Sequence, residues 1–218
     1  MQFLSQIVRI VLIDLALSGD NAIVIGMAAH RLPPRQRRIA IVTGGAAAIV
    51  LRIALTAVAA LLLRVKGLHL VGGLLLIWIG FRLLEVEEET HEGVKVAATM
   101  SGAIATILVA DFIMSLDNVL GVAGASEGDV RLLIFGLAFS MVILMFMGNL
   151  VAELMNRLWW LAYVGSGVIA WTGAAMIFED ALVRRYVVLE GLPLHALTLA
   201  ITGATLWAAH RWHRTADR

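Results

Sequence analysis

No cysteine occurs in the 218 residues. That absence removes disulfides, thiolate metal sites, iron–sulfur clusters and cysteine nucleophiles together. Charge is also scarce: Asp, Glu, Lys and Arg make up 15% of the chain, against about 25% in an ordinary soluble domain. Seventeen basic residues balance sixteen acidic ones with no long basic run, so nothing points to nucleic acid. What fills the chain instead is apolar, at 61%. A soluble protein of this size must show much of its surface to water and could not hide so much apolar area. A soluble globular enzyme and a disordered chain are therefore excluded, and the expected class is a polytopic membrane protein. A nucleotide-binding loop, a zinc-protease helix and a serine-nucleophile elbow are all missing, so the expectation is no enzyme. The apolar N-terminal stretch is interrupted by Arg9 and Asp14 and runs to Ala29 without the order of a cleaved leader. It reads as a retained first span.

Seven apolar windows approach the roughly 20 residues that cross about 30 Å of hydrocarbon. They cover 7–29, 39–63, 68–84, 97–124, 132–152, 161–178 and 194–210. Runs of that length predict helices rather than alternating barrel strands. The expected fold is all-α, a single transmembrane domain over 1–218 with short loops. The loop His30–Arg38 carries Arg31, Arg35, Arg37 and Arg38 and no acid, which places it inside and the N-terminus outside. The seventeen Lys and Arg then divide as ten inside, six outside and Arg52 within the membrane, with a cytoplasmic C-terminus. Trp159, Trp160 and Trp212 stand where interfacial aromatics are expected, and His30, His69, His195 and His210 fall at span ends. The acidic loop Glu85–Gly93 reads as a solvated turn, with a metal-gathering vestibule as the sharper alternative.

The strongest signal is self-similarity. Asp14-Leu-Ala-Leu-Ser18-Gly-Asp20-Asn21 recurs as Asp111-Phe-Ile-Met-Ser115-Leu-Asp117-Asn118, four polar matches at one offset. Val71-Gly72-Gly73 with Trp78 and Gly80 is echoed by Val164-Gly165-Ser166 with Trp171 and Gly173, and Gly44 by Gly136. This predicts two units of three spans, about 5–90 and about 97–180, plus an extra helix at about 194–210. Three is odd, so the second unit must enter from the opposite side. Such inverted repeats place transporter sites near the midplane where the repeats meet.

An Asp at the centre of a span costs roughly 2.5–3.5 kcal/mol, so four cost on the order of 10–14 kcal/mol unless something offsets them. Asp14, Ser18 and Asn21 share one helix face, as do Asp111, Ser115 and Asn118. Asp20 and Asp117 are rotated by about 120° on a regular helix. Either the helix unwinds near Ser18-Gly19, or those two acids face other neighbours; Leu116 in place of Gly19 weakens a symmetric unwinding. Joined, the motifs offer four carboxylates, two amide oxygens and two hydroxyls, all hard donors suited to Mg²⁺, Ca²⁺ or Mn²⁺. Met27 and Met114 add either a soft thioether or, more plainly, packing. The excess of carboxylate would let protons exchange for metal. The bland alternative is a polar clamp that glues helices. Arg52, whose matching position in the second unit is near Leu144, is either a fixed countercharge to an aspartate or a structural ion pair.

The paired motifs, the short acidic loop and the seven apolar runs resemble the TerC family of bacterial integral membrane proteins, most closely its short YjbE/YkoY branch. The resemblance covers nearly the whole chain. It implies a seven-helix inner-membrane protein that exports Mn²⁺ or helps deliver it to exported enzymes. The family's intramembrane acids carry over to Asp14, Asp20, Asp111 and Asp117, with Asn21 and Asn118 beside them. The expected function is efflux of a divalent cation, Mn²⁺ first, by alternating access. Asp20 and Asp117 would be primary ligands, Asp14 and Asp111 second ligands or proton carriers, and Asn21, Asn118, Ser18 and Ser115 would complete the shell. No cofactor is expected; the partners would be the bilayer, the cation, protons as counter-ion and, in a homo-oligomer, further copies of the chain. The competing expectations are a membrane partner that loads metal onto exported enzymes and a LysE-like exporter of small organic cations.

Overall fold

The computed structural model describes residues 2–62, 65–91, 99–125, 130–187 and 191–216, and among them there are helices and no strand. In chain order these are α1 (Gln2–Ser18), α2 (Asn21–Ala29), α3 (Pro34–Leu62), α4 (Leu68–His91), α5 (Met100–Ala125), α6 (Val130–Met155), α7 (Leu161–Glu179), α8 (Ala181–Arg184) and α9 (Leu192–Ala216). Among the described residues four stretches are long and apolar enough to cross a membrane: Pro34–Thr56, Arg131–Met155, Leu161–Glu179 and Leu192–Trp212. A fifth is the pair Gln6–Ser18 and Asn21–Ala29, bent by 62° at its break. Leu68–Leu84 and Met100–Leu116 are apolar but shorter.

Two expected loops are shorter than the sequence suggested. Arg35, Arg37 and Arg38 lie on the first turns of α3, because Pro34 supplies a preset φ and no orphan N–H at the first helical position. Glu85–His91 are helical and finish α4, which is where glutamate's good helix propensity takes them; Gly93 and the side chains of the acidic run lie outside the described residues.

The chain forms two compact units, each drawn from both halves of the sequence. The first comprises Met1–Arg64 and Thr99–Leu154. Here α6 shows the logic of a membrane helix turned inside out. Phe135, Phe139, Val142 and Phe146 form an exposed stripe, while Leu137, Ser140, Met141 and Leu144 on the other side are buried. Glycines let the helices close: a Cβ on Gly44 would lie 3.2 Å from the Ile107 side chain, and one on Gly136 would overlap Ile10. These two contacts are reciprocal, since Gly44 matches Gly136 and Ile10 matches Ile107 across the repeat. Ala22, Ile25, Ala29, Ile41, Ala48, Ile107, Met141 and Leu144 complete one core cluster.

The second unit comprises Val65–Ala98 and Met155–Arg218. Its centre is the α4–α7 contact. A Cβ on Gly73 would collide with the Gly173 carbonyl, and one on Gly80 would lie 3.2 Å from the Ser166 carbonyl oxygen. This pair is reciprocal too, because Gly73 matches Ser166 and Gly80 matches Gly173. Ser166 Oγ donates to the Gly80 carbonyl at 2.7 Å. The α9 helix packs on both, with Trp212 edge-on to Phe81 and His210 Nδ1 3.2 Å from the Tyr163 hydroxyl. His195, expected at an interface, stacks on Trp171 with centroids 6.1 Å apart. At the far end of α7, Asp180 is buried and accepts from the backbone N–H groups of Gly67, Leu70 and Leu182 at 3.2, 3.2 and 2.8 Å. Gly67 has φ +86°, a conformation glycine adopts without strain, and this turns its N–H toward that carboxylate.

Candidate functional site

The first unit brings the two acidic motifs together. Asp14 and Ser18 lie in the last two turns of α1, Asn21 opens α2, and Asp111, Ser115 and Asn118 lie on α5. All six are buried, Asp14, Ser18 and Ser115 completely. The two motifs exchange side-chain bonds. Asn21 Nδ2 donates to Asp111 Oδ1 at 3.0 Å. In the other direction Asn118 Nδ2 donates to the Leu17 carbonyl and to Ser18 Oγ, both at 3.1 Å.

Local sequence decides why only one motif helix is broken. The chain leaves the helix at Gly19 and Asp20 and re-forms it at Asn21. Glycine is among the poorest residues for a helix interior, and the break leaves the Leu17 carbonyl for Asn118 to bond. At the matching place α5 carries Leu116, buried, and runs through unbroken. Asp20 therefore sits half-buried at the N-cap of α2, where its side chain makes no capping bond. Asp117 belongs to α5, but its side chain lies outside the described residues.

Arg52 links the halves. Its Nη1 donates to Asp14 Oδ1 and Oδ2 at 2.9 and 3.1 Å and to Ser18 Oγ at 3.2 Å, while its Nη2 pairs with Asp111 Oδ1. Both remaining hydroxyls serve the same acids: Ser18 Oγ donates to Asp14 at 3.4 Å and Ser115 Oγ to Asp111 at 3.5 Å. Sequence reasoning missed one member. Ser140 on α6 donates to Asp14 Oδ2 at 2.6 Å. A lone serine in an apolar span carries no signal of its own; its repeat counterpart is Ala48.

Of the four expected carboxylates, the described side chains bring two together, Asp14 and Asp111; Asp20 stands half-buried at the α2 N-cap and the Asp117 side chain lies outside the described residues. Among the described residues no group of three or more His, Cys, Asp or Glu is placed to hold a metal. Two carboxylates meet, and they meet through a guanidinium. With both acids ionised, the three buried groups carry one net negative charge. Two polar atoms within it have no partner among the described residues: Asn21 Oδ1, a hard acceptor, and Arg52 Nε, a donor. Met27 and Met114 are buried, as packing residues would be.

Comparison with known proteins agrees with a membrane chain of this kind. Residues 1–217 match the Integral membrane protein TerC family. The chain is 39% identical over 189 residues to "Uncharacterized membrane protein YjbE" of Bacillus subtilis, covering 87% of this chain and 86% of that one. It is 29% identical over 163 residues to "UPF0053 inner membrane protein YgdQ" of Escherichia coli, 67% and 68% of the two chains. No solved structure matches. Matched over residues 1–217, the chain belongs to the TerC family of integral membrane proteins.

Proposed function

We propose that the chain moves a divalent cation, Mn²⁺ first and Ca²⁺ or Mg²⁺ as alternatives, outward across a bacterial inner membrane by alternating access. The carrying observation is that the repeated acidic motifs converge in one buried network with an unpartnered amide oxygen, Asn21 Oδ1. Buried acids in a membrane are kept for function by default, because their insertion is costly. The donors are carboxylate, amide and hydroxyl oxygens, which suit hard divalent ions. Asp14, Asp111 and Asn21 would supply oxygens to the ion, with Asp20 and Asp117 alongside and Ser18, Ser115 and Asn118 orienting them. Protons would return as counter-ion.

Two oppositely inserted three-span units and a seventh span would give the required motion. The reciprocal contacts Gly44–Ile107 and Gly136–Ile10, and Gly73–Gly173 and Gly80–Ser166, support a two-fold relation between the repeats. Seven spans need α4 and α5 to cross as well; at 24 and 26 residues they are about 36 and 39 Å long. In this arrangement the basic residues at the start of α3 and the C-terminus face the cytoplasm. The name of the YgdQ relative supports an inner-membrane location.

One observation favours a second reading. The Asp14–Arg52–Asp111 bridge gives both acids a partner from the chain itself, as it would in a membrane partner that passes metal to exported enzymes but conducts none. Mn²⁺ flux in proteoliposomes separates the two. Wild-type flux that falls steeply in Asp20→Asn and Asp117→Asn supports transport through the motifs. Flux unchanged in both variants removes those acids from the path. Absence of flux in all three proteins favours the partner, and flux of organic cations indifferent to Mn²⁺ favours the LysE-like exporter.

A further inference from the structure

We propose that the Arg52 guanidinium is a tethered stand-in for the transported cation: it holds the Asp14 and Asp111 carboxylates in the empty protein and yields them when a divalent cation enters. This rests on the reading of the network as a cation path and adds a competitor built into it.

The geometry is that of an occupant of the site rather than of its wall. Among the described residues Arg52 is the one that bonds both acids, Nη1 to Asp14 and Nη2 to Asp111. The hydroxyl and amide partners each serve one motif's acid: Ser18 and Ser140 on Asp14, Ser115 and Asn21 on Asp111. Arg52 comes from α3, outside the motif helices, so the exchange asks for a swing of its long side chain and for no change in the bonds within α1, α2 or α5. The repeat explains why there is one such group. Leu144 falls near the matching position, so a single cationic head serves two nearly equivalent carboxylates.

Charge gives the reason for exchange. Two carboxylates with the guanidinium sum to one negative charge; with a divalent ion in its place they are neutral. With both cations present the cluster would be positive, and the two would repel at short range in a medium that screens poorly. The ion and the guanidinium therefore exclude one another from the same oxygens. The unfilled valences fit this account. A guanidinium locked permanently in a buried bridge is stable when its remaining donors are satisfied, yet Arg52 Nε has no partner among the described residues. Asn21 Oδ1, beside Asp111, is an acceptor that the guanidinium leaves unused and a hard cation would take.

Mn²⁺ binding to the full chain in lipid nanodiscs tests the competition, read from the loss of the free-ion paramagnetic resonance signal. The wild type is compared with Arg52→Gln and Arg52→Lys, and each is first checked for a cooperative thermal transition without metal. If the guanidinium leaves the acids in about one molecule in ten, its removal tightens the apparent Kd about tenfold. Arg52→Gln should reach that, and Arg52→Lys should fall between it and the wild type, since an ammonium is a point charge that cannot fork across two carboxylates. Should the Gln protein not fold, the Lys protein decides alone. Equal or weaker binding in the folded variants, with the wild type binding Mn²⁺, overturns the stand-in and leaves the cargo reading intact. No Mn²⁺ binding in any of the proteins overturns the cargo reading, and the competitor with it.

Discussion

The two compact units bury acid in opposite ways. In the second, Asp180 is held mainly by backbone: three main-chain N–H groups converge on one carboxylate, with His69 alongside. In the first, Asp14 and Asp111 are met almost wholly by side chains, and the main neutralising group sits on a long flexible stem. Backbone donors fixed by helix ends are rigid, so Asp180 is a clip between the start of α4 and the end of α7. Side-chain donors have other rotamers, so the Asp14–Asp111 network can be rearranged. An acid's burial alone does not distinguish a structural role from a working one; the kind of donor does.

The strongest way to sharpen this contrast is Arg52→Leu, which imposes on the first repeat the residue of the second. Without divalent cation it should lose about 3–5 kcal/mol in a denaturant titration in mixed micelles, since two buried carboxylates lose their shared partner. Saturating Mn²⁺ should restore part of that stability. A variant as stable as the wild type would show that the network tolerates unpaired charge and would erase the distinction. In the second unit, Gly73→Ala forces a methyl against the Gly173 carbonyl and should cost about 1–3 kcal/mol by the same titration.

Asp180→Asn should cost about 1–2 kcal/mol at neutral pH, because amide oxygens are weaker acceptors than a carboxylate. Its pH dependence has a definite sign. Burial is the largest single influence and pushes the carboxyl up, but the N–H groups of Leu182, Leu70 and Gly67, with His69 alongside, together outweigh it and hold the carboxyl below the ordinary Asp range. A lowered value means the stabilisation is complete above the unfolded-state pKa of about 3.9 and disappears as pH falls through the lower folded-state value. Melting curves of wild type and variant should therefore converge as pH falls through the folded-state value of Asp180. A difference that persists undiminished at strongly acidic pH would contradict the clip. The smallest effect is expected at Gly203→Ala on α9, where an added methyl meets nothing within 4 Å. Helix propensity alone should raise stability there by up to about 1 kcal/mol.

Much of this was legible in the residues. Apolar run length located the helices, and the doubled motif brought α1, α2 and α5 together because intramembrane acids must find partners. Gly19 against Leu116 foretold which motif helix would break. Helix ends were less legible: Pro34 and the glutamates after Leu84 extend helices into stretches whose charge looked loop-like. Sequence could not say whether Arg52 would pair with one acid or both, since that depends on how far α3 stands from each motif helix. Ser140 and Asp180 were silent. A serine among Phe, Met and Val gives no period, and an acid just past an apolar window looks like ordinary punctuation.

The break between α1 and α2 has a mechanical consequence. A straight helix such as α5 behaves as a rod, so tilting one end carries the other along. A helix interrupted at Gly19 and Asp20 and turned by 62° behaves as two short levers sharing a pivot. Asp14 and Ser18 ride on one lever and Asn21 on the other. Any tilt of α2 relative to α1 therefore changes the spacing between Asn21 and Asp14, while Asp111, Ser115 and Asn118 keep theirs on the rod opposite.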